Sequence, residues 1–390
     1  MVLARYQEVL RRPHVARLLV TAMLARLPQG MSGLSILLLL TPHVGYARAG
    51  LATGVSVASS GISNVLLARA VDRVGARKVL IPSAASYSAA MLSLAAVAHG
   101  AYPLQVAICG AIGLVTPPIS SVSRGLWPRL LGDEQAQVIY GLEATAQELV
   151  FIAGPAAVAL IAGLASARTA VIVSGLIGLV GVLAYATAPP LAEGVAAIRA
   201  HGQRVLFGTG VLRYALVGVC ITLGFNMTDI STVDFVGGRR ASATAGVVLA
   251  VWSFGSLIGG VWFGASHNRV TDRKLARVVA IAAGGMALAA LAPDSVGLAA
   301  ILLFSGAAVA PTMARLYTRM GSVAPEGQTT EAFGWLAVGF LAGSSLGSTL
   351  GGVSVDSVGP RWTFLFAGLA AMSAVAVIAA RRPVASSRGR

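Results

Sequence analysis

Five ionisable side chains stand inside long apolar stretches of this 390-residue chain: Arg26, Glu143, Glu148, Asp229 and Asp234. An ionised group in hydrocarbon costs about 2.5–3.5 kcal/mol on insertion scales, so it is kept where it faces a cavity or a partner. Such groups can take up and release a proton, pair with one another, or hold a polar solute. At 1.5 Å of rise per residue, Arg26 lies about 14 Å into its stretch and Glu148 about 15 Å into its own, both near the middle of a bilayer. Glu143 falls near the inner boundary, Asp229 far along its stretch, and Asp234 at the outer edge. The expected pair is therefore Arg26 with Glu148, at the centre of the N-terminal half. Two behaviours are open to it: protonation of Glu148 breaks the pair and shifts the chain between inward-open and outward-open states, or the pair is a permanent bond between two helices. Tyr140, Glu143 and Gln147 share one helix face at i, i+3, i+7 spacing, and Asn226 with Asp229 repeats the i, i+3 pairing, so both sets can present polar groups to a solute.

Other chemistry is poorly represented. The five histidines (His14, His43, His99, His201, His267) are scattered and the two cysteines, Cys109 and Cys220, lie in apolar runs, so neither a metal set nor a redox motif is expected. There is no Gly-x4-Gly-Lys-Ser/Thr phosphate loop, which excludes direct drive by ATP, and no cofactor is expected. Gly343-Ser-Ser345-Leu-Gly347 fits a serine-hydrolase pattern but lies in an apolar helix with no strand before it, and reads as chance. An intramembrane enzyme would need a convergent nucleophile and base, and none is present.

The elements that must position the charged groups are membrane-spanning helices. Hydrophobic residues make up 56% of the chain and charged ones 11%, with a mean hydropathy of +0.80, whereas soluble domains are about a quarter charged. A helix needs about 20 apolar residues to cross hydrocarbon. Stretches of that length are expected at 17–40, 48–69, 79–98, 103–123, 138–163, 168–188, 211–236, 244–266, 275–292, 296–314, 330–353 and 362–380. The basic Arg11–Arg12 pair ahead of the first stretch imitates a signal peptide, but with so many stretches following, the first reads as a retained helix. With the N-terminus inside, the outer loops carry only Arg48, Arg168, Arg239, Arg240 and Arg361, and Arg26 is within the first stretch. The rest of the 29 basic residues fall inside. This one-sided placement accounts for the net charge of +15, so no nucleic-acid partner is needed. The fold class expected is an all-α membrane protein with both termini cytoplasmic.

The halves repeat. A shift of 196 residues places Arg17 on Arg213, Arg73 on Arg269, Arg77 on Arg273 and Lys78 on Lys274, with Asp72 on Asn268. The division expected is a six-helix bundle over 1–190, a cytoplasmic linker over 191–208 and a second bundle over 209–390, with a solute site between the bundles. Gly339, Gly343, Gly347 and Gly351 give the eleventh helix a bare face, and Gly255 and Gly259 do the same for the eighth. Small faces permit close packing in lipid.

Between the second and third helices, Ala68-Arg-Ala-Val-Asp72-Arg73-Val-Gly75-Ala-Arg77-Lys78-Val-Leu80 resembles the loop motif of the major facilitator superfamily. Asp72, Arg73, Gly75, Arg77 and Leu80 match, while Ala68, Ala70 and Ala76 depart from it. Gly75 permits a tight turn. Asp72 can meet the loop arginines or the N-terminus of a neighbouring helix and so latch the two halves; the same basic loop could instead anchor to lipid headgroups. In the fifth helix, Gly141, Gly154 and Pro155 match part of the pattern of proton-coupled exporters of that superfamily, whereas Val150, Val158 and Ala159 replace its other glycines. The arginine that those exporters carry inside the fourth helix is missing by this reading, since Arg124 is assigned to the inside loop. The resemblance implies that the second helix packs on the eleventh and the fifth on the eighth across the halves, where bare glycine faces either let the bundles rock or simply hold them together. It also implies a monomeric, multi-pass protein of the inner (plasma) membrane that exports small amphipathic molecules against protons by alternating access. An importer of a small polar solute and a non-transporting scaffold or sensor are the alternatives.

Overall fold

The computed structural model describes residues 7–192, 205–208, 210–236, 242–264 and 270–380. Among them, twelve helices are long and apolar enough to cross a membrane. We number them α1 (Val15–Gly45), α2 (Arg48–Val74), α3 (Ala76–Ala96), α4 (Tyr102–Gly132), α5 (Glu134–Leu164), α6 (Ala167–Ala186), α7 (Val211–Phe235), α8 (Thr244–Trp262), α9 (Asp272–Leu291), α10 (Ser295–Val323), α11 (Thr329–Val358) and α12 (Pro360–Ala379). Large apolar side chains such as Leu164 and Phe304 project outward, 80% and 76% exposed, as suits a surface solvated by lipid tails. The expected linker begins and ends in short helices, Pro189–Ala192 and Val205–Gly208, and its middle lies outside the described residues, as do Asn268 and Arg269 of the repeat.

Several helices run past the apolar stretches read from sequence. α4 continues to Gly132 and α10 to Val323, each after a break in its middle. In α4 the break falls at Val115–Pro118, where two prolines remove backbone donors. The carbonyls freed there are not left bare: Ser83 donates to Val115 O at 2.6 Å and Ser63 to Thr116 O at 3.0 Å. α10 breaks at Ala307–Ala308, the corresponding stage of the fourth helix of its half. Tight turns at Gly45, Gly75, Gly132 and Gly359 all have positive φ, a conformation open to glycine, and so reverse the chain in very few residues.

The core explains how the halves meet. The largest buried cluster gathers the starts of α1, α3, α5, α7, α9 and α11 with the ends of α2, α4, α6, α10 and α12, and it includes Trp127, Tyr140, Tyr214, Tyr317 and Phe333. It occupies the end that carries the basic α2–α3 turn, and it joins both halves. Toward the opposite end the buried clusters separate. One is built from α1–α4 and α6 around Met91 and Cys109, another from the C-terminal half around Trp252 and Phe364. The bundles are thus closed on each other at the basic end, and a cavity of about 450 Å³ stands above that seal.

The bare glycine face of α11 is a correction to the sequence expectation. Gly339, Gly343, Gly347 and Gly351 turn to α7 of their own half: a Cβ at Gly339 would come 2.5 Å from the Ala215 carbonyl, and one at Gly347 2.5 Å from that of Leu223. Gly255 and Gly259 of α8 press in the same way on Leu303 and Ala307 of α10. These glycines fuse helices within the C-terminal bundle. The approach of α11 to α2 is made by Gly334, where a Cβ would lie 2.8 Å from Asn64 O.

Candidate functional site

Beneath the cavity lies a buried charge cluster. Arg26 of α1 is fully buried, and its Nη2 donates to Glu143 Oε1 at 2.7 Å and to Ser123 Oγ at 2.5 Å. Ser123 of α4 donates in turn to the same carboxylate. Arg124 brings its Nε to 3.6 Å from Glu143 Oε2 and donates to Gln147 Oε1 at 3.4 Å. Tyr140 donates its hydroxyl to Arg124 O at 2.8 Å, which fixes the backbone beneath the guanidinium. Glu143 is itself fully buried, so α1, α4 and α5 are tied together through one carboxylate. Such a bond is directional, and removing one partner strands the others without water. Two arginines and one glutamate leave a surplus positive charge.

The pairing corrects the reading from sequence. The acid that meets Arg26 is Glu143, which is fully buried within the protein; the side chain of Glu148 is outside the described residues. Depth counted along straight helices does not find this partner. The chain turns at Gly132, and the Arg26–Glu143 pair sets this level of α5 against α1. Arg124 is likewise inside the protein, 5% exposed, because α4 resumes as a helix after Pro118 and carries it inward. The fourth helix therefore does hold an arginine. Its signal was present in the sequence as the run Ser123-Arg-Gly-Leu-Trp127, which continues the apolar pattern beyond the prolines.

The charge cluster reaches the cavity through Arg124. The cavity is lined by polar groups of both halves, among them Gln29, Asn64, Gln147 and Thr222, and by a larger apolar wall including Phe225 and Phe340. Arg124 stacks on the ring of Tyr317 from α10, and Tyr317 in turn packs on Phe333 and Phe340. Asn226 donates to Thr222 O at 2.9 Å and accepts from Ser348 at 3.4 Å, a bond between α7 and α11. Asp229 is half-buried one turn further along. Neither is among the described residues that line the cavity.

The α2–α3 turn supplies the seal below. Asp72, 7% exposed, accepts the backbone N–H groups of Glu331 at 2.8 Å and Thr330 at 3.3 Å, at the N-terminus of α11. A carboxylate there satisfies donors that a helix cannot satisfy itself and opposes the helix dipole. Arg69 adds an ion pair to Glu331 at 2.6 Å. Gly75, at φ 97°, makes the turn, and Arg73 and Arg77 are exposed. Within the C-terminal half the matching region closes on itself: Asp272 binds Arg319 at 2.7 Å, Arg213 at 3.1 Å and the Tyr214 hydroxyl at 2.6 Å. On α5, Gly154 is where α1 crosses, since a Cβ there would lie 2.6 Å from the Gly30 carbonyl carbon, while Gly141 is buried and Pro155 is inside the helix.

Comparison with known proteins agrees with this architecture. A family profile described as Major Facilitator Superfamily matches residues 18–293 and 215–390. A search of the curated proteins finds no match. Among solved structures, the human organic anion transporter MFSD10 (TETRAN) superposes with a TM-score of 0.75 at 15% identity, covering 94% of this chain and 100% of that one. An outward-facing bacterial homologue of the iron transporter ferroportin gives 0.75 at 12% identity over 93% and 98% of the two chains. The E. coli fucose:proton symporter FucP gives 0.75 at 14% identity over 94% and 98%. At these identities the likeness is one of fold.

Proposed function

The chain belongs to the Major Facilitator Superfamily, and we propose that it works as a proton-coupled secondary transporter of small amphipathic solutes in the plasma membrane. Residues 1–190 and 209–390 rock against each other around the central cavity, which alternates between the two faces. With the basic end in the cytoplasm, the present arrangement is the outward-facing one, held by Asp72 and Arg69 on the start of α11. Residues of both halves of one chain line the cavity, so a monomer suffices.

The observation that carries this reading is Glu143: a fully buried carboxylate, set between Arg26 and Arg124, with one of those arginines at the cavity wall. A proton arriving on Glu143 cancels its charge and loosens both pairs. Arg124 is then free to move, and its contact with Tyr317 carries that movement into the other half. The test is solute flux in proteoliposomes under an imposed pH gradient. Glu143→Gln is expected to abolish acceleration by the gradient while leaving solute exchange measurable; gradient-driven flux at the wild-type rate in that variant would remove Glu143 from the coupling.

A second reading, export in exchange for protons, is favoured by the Gly141, Gly154 and Pro155 pattern of α5. It requires that solute and proton compete for the carrier. Inverted vesicles that accumulate solute when their interior is acidified would support it.

A further inference from the structure

We infer that the solute carries one acidic group, bound at Arg124, and that it crosses together with a proton held on Glu143. The inference rests on the reading above that Glu143 is the proton carrier. Among the described residues, Arg124 is the one fully charged side chain that lines the cavity; the rest of the wall is amide, hydroxyl, phenol, aromatic and aliphatic. Its guanidinium is short of partners for a buried group. The Nε makes no hydrogen bond, Gln147 is 3.4 Å away, and the nearer oxygen of Glu143 is at 3.6 Å, because Arg26 and Ser123 take the other oxygen. A guanidinium offers five donors in a plane that suits a carboxylate or sulfonate. The apolar wall beside it receives the body of the solute, and about 450 Å³ suits a molecule of drug-like size or smaller.

The charges then set the sign of coupling. Glu143 is faced by Arg26 from α1, by Ser123, Arg124 and Trp127 from α4, and by Tyr185 from α6, with Tyr140 and Gln147 on its own helix. An acid arriving at Arg124 competes with Glu143 for that cation and adds a negative charge nearby. Both effects raise the affinity of Glu143 for a proton. By reciprocity, the proton on Glu143 raises the affinity for the acid by the same factor. With both bound, the cluster carries the same net charge as when empty. The cycle is therefore electroneutral, one proton with each monoanion, and the proton gradient draws the acid inward.

The experiment uses the full chain in proteoliposomes, with the outside more acidic than the lumen. The probes are radiolabelled monocarboxylates and aryl sulfonates, each beside its neutral amide and the corresponding amine, with flux taken above that of protein-free vesicles. The expected result is uptake of acids over matched amides by about tenfold or more, the worth of one hydrogen bond to a charged group. That uptake should be indifferent to a potassium–valinomycin potential of either sign. Arg124→Gln should reduce acid uptake to the level of the amide, and Arg124→Lys should keep part of the preference. Gradient-driven uptake of amines or amides in place of acids would overturn the acidic site and leave proton coupling standing. Acid uptake that ignores the pH gradient would do the reverse. Undiminished acid uptake by Arg124→Gln, or no flux of any probe, overturns the inference.

Discussion

Arg124 of the N-terminal half lies over the ring of Tyr317 in the C-terminal half, 3.8 Å from its centroid. The same guanidinium stands beside Glu143, so a single side chain links a buried carboxylate, the wall of the cavity and the opposing bundle. A cation over an aromatic face in a dry setting contributes about 2 kcal/mol. Tyr317→Phe keeps the ring and is expected to keep the closed basic end. Tyr317→Leu removes it and should open that end about thirtyfold more often. Labelling of a cysteine at Ser120, at the cavity wall, by a membrane-impermeant reagent supplied from the basic side, in a chain lacking Cys109 and Cys220, would read this out. Equal labelling of the two variants would mean that the stacking has no part in closure.

The contact of Asp72 with α11 makes a parallel prediction. Asp72→Asn retains one acceptor but loses the charge that faces the helix N-terminus and the hydrogen bonds made to it, about 1.5–3 kcal/mol. The basic end should loosen, and labelling of the same cysteine should rise roughly tenfold or more. Arg73→Ala, at an exposed position, should leave it unchanged. A labelling rate in Asp72→Asn equal to the parent's would exclude the latch.

Arg26 and Glu143 should behave as a unit in stability. Arg26→Met strands a carboxylate in the interior and is expected to cost about 3–5 kcal/mol. Combining it with Glu143→Gln should cost less than the two single changes added together, because the second removes the charge that the first leaves alone. Thermal melts in detergent, followed by tryptophan fluorescence, measure all three. Strict additivity would show that the pair is not energetically coupled.

The glycine face of α11 separates fusion from gliding. Gly343→Ala would drive a methyl into Thr222 and Val219 of α7, within the same bundle, and is expected to destabilise by about 1–3 kcal/mol. At Gly352 a Cβ meets nothing within 4 Å, so Gly352→Ala should be neutral or stabilising by up to about 1 kcal/mol through helix propensity. If Gly343→Ala melted like the parent and only slowed transport, the face would be a sliding surface after all.

The sequence by itself determined the number and type of the helices and the solvent that surrounds them. It also showed which end is basic and marked Asp72 as a group able to meet a helix N-terminus. These are local properties. About 20 apolar residues make a span whatever lies beside it, and a glycine at Gly75 turns the chain wherever the helices go. Only the tertiary structure decided that Arg26 meets Glu143, that Arg124 belongs to the interior, and that Gly339 to Gly351 face α7. Each of these depends on how far one helix has rotated and slid against another. Helices broken at Val115–Pro118 and Gly132 are not straight rods, and depth counted along rods does not find the acid that Arg26 meets. Hydropathy fixes that a charge inside a span must find a counter-charge. Which one it finds is set by packing between segments far apart in the chain, and no single segment contains that information.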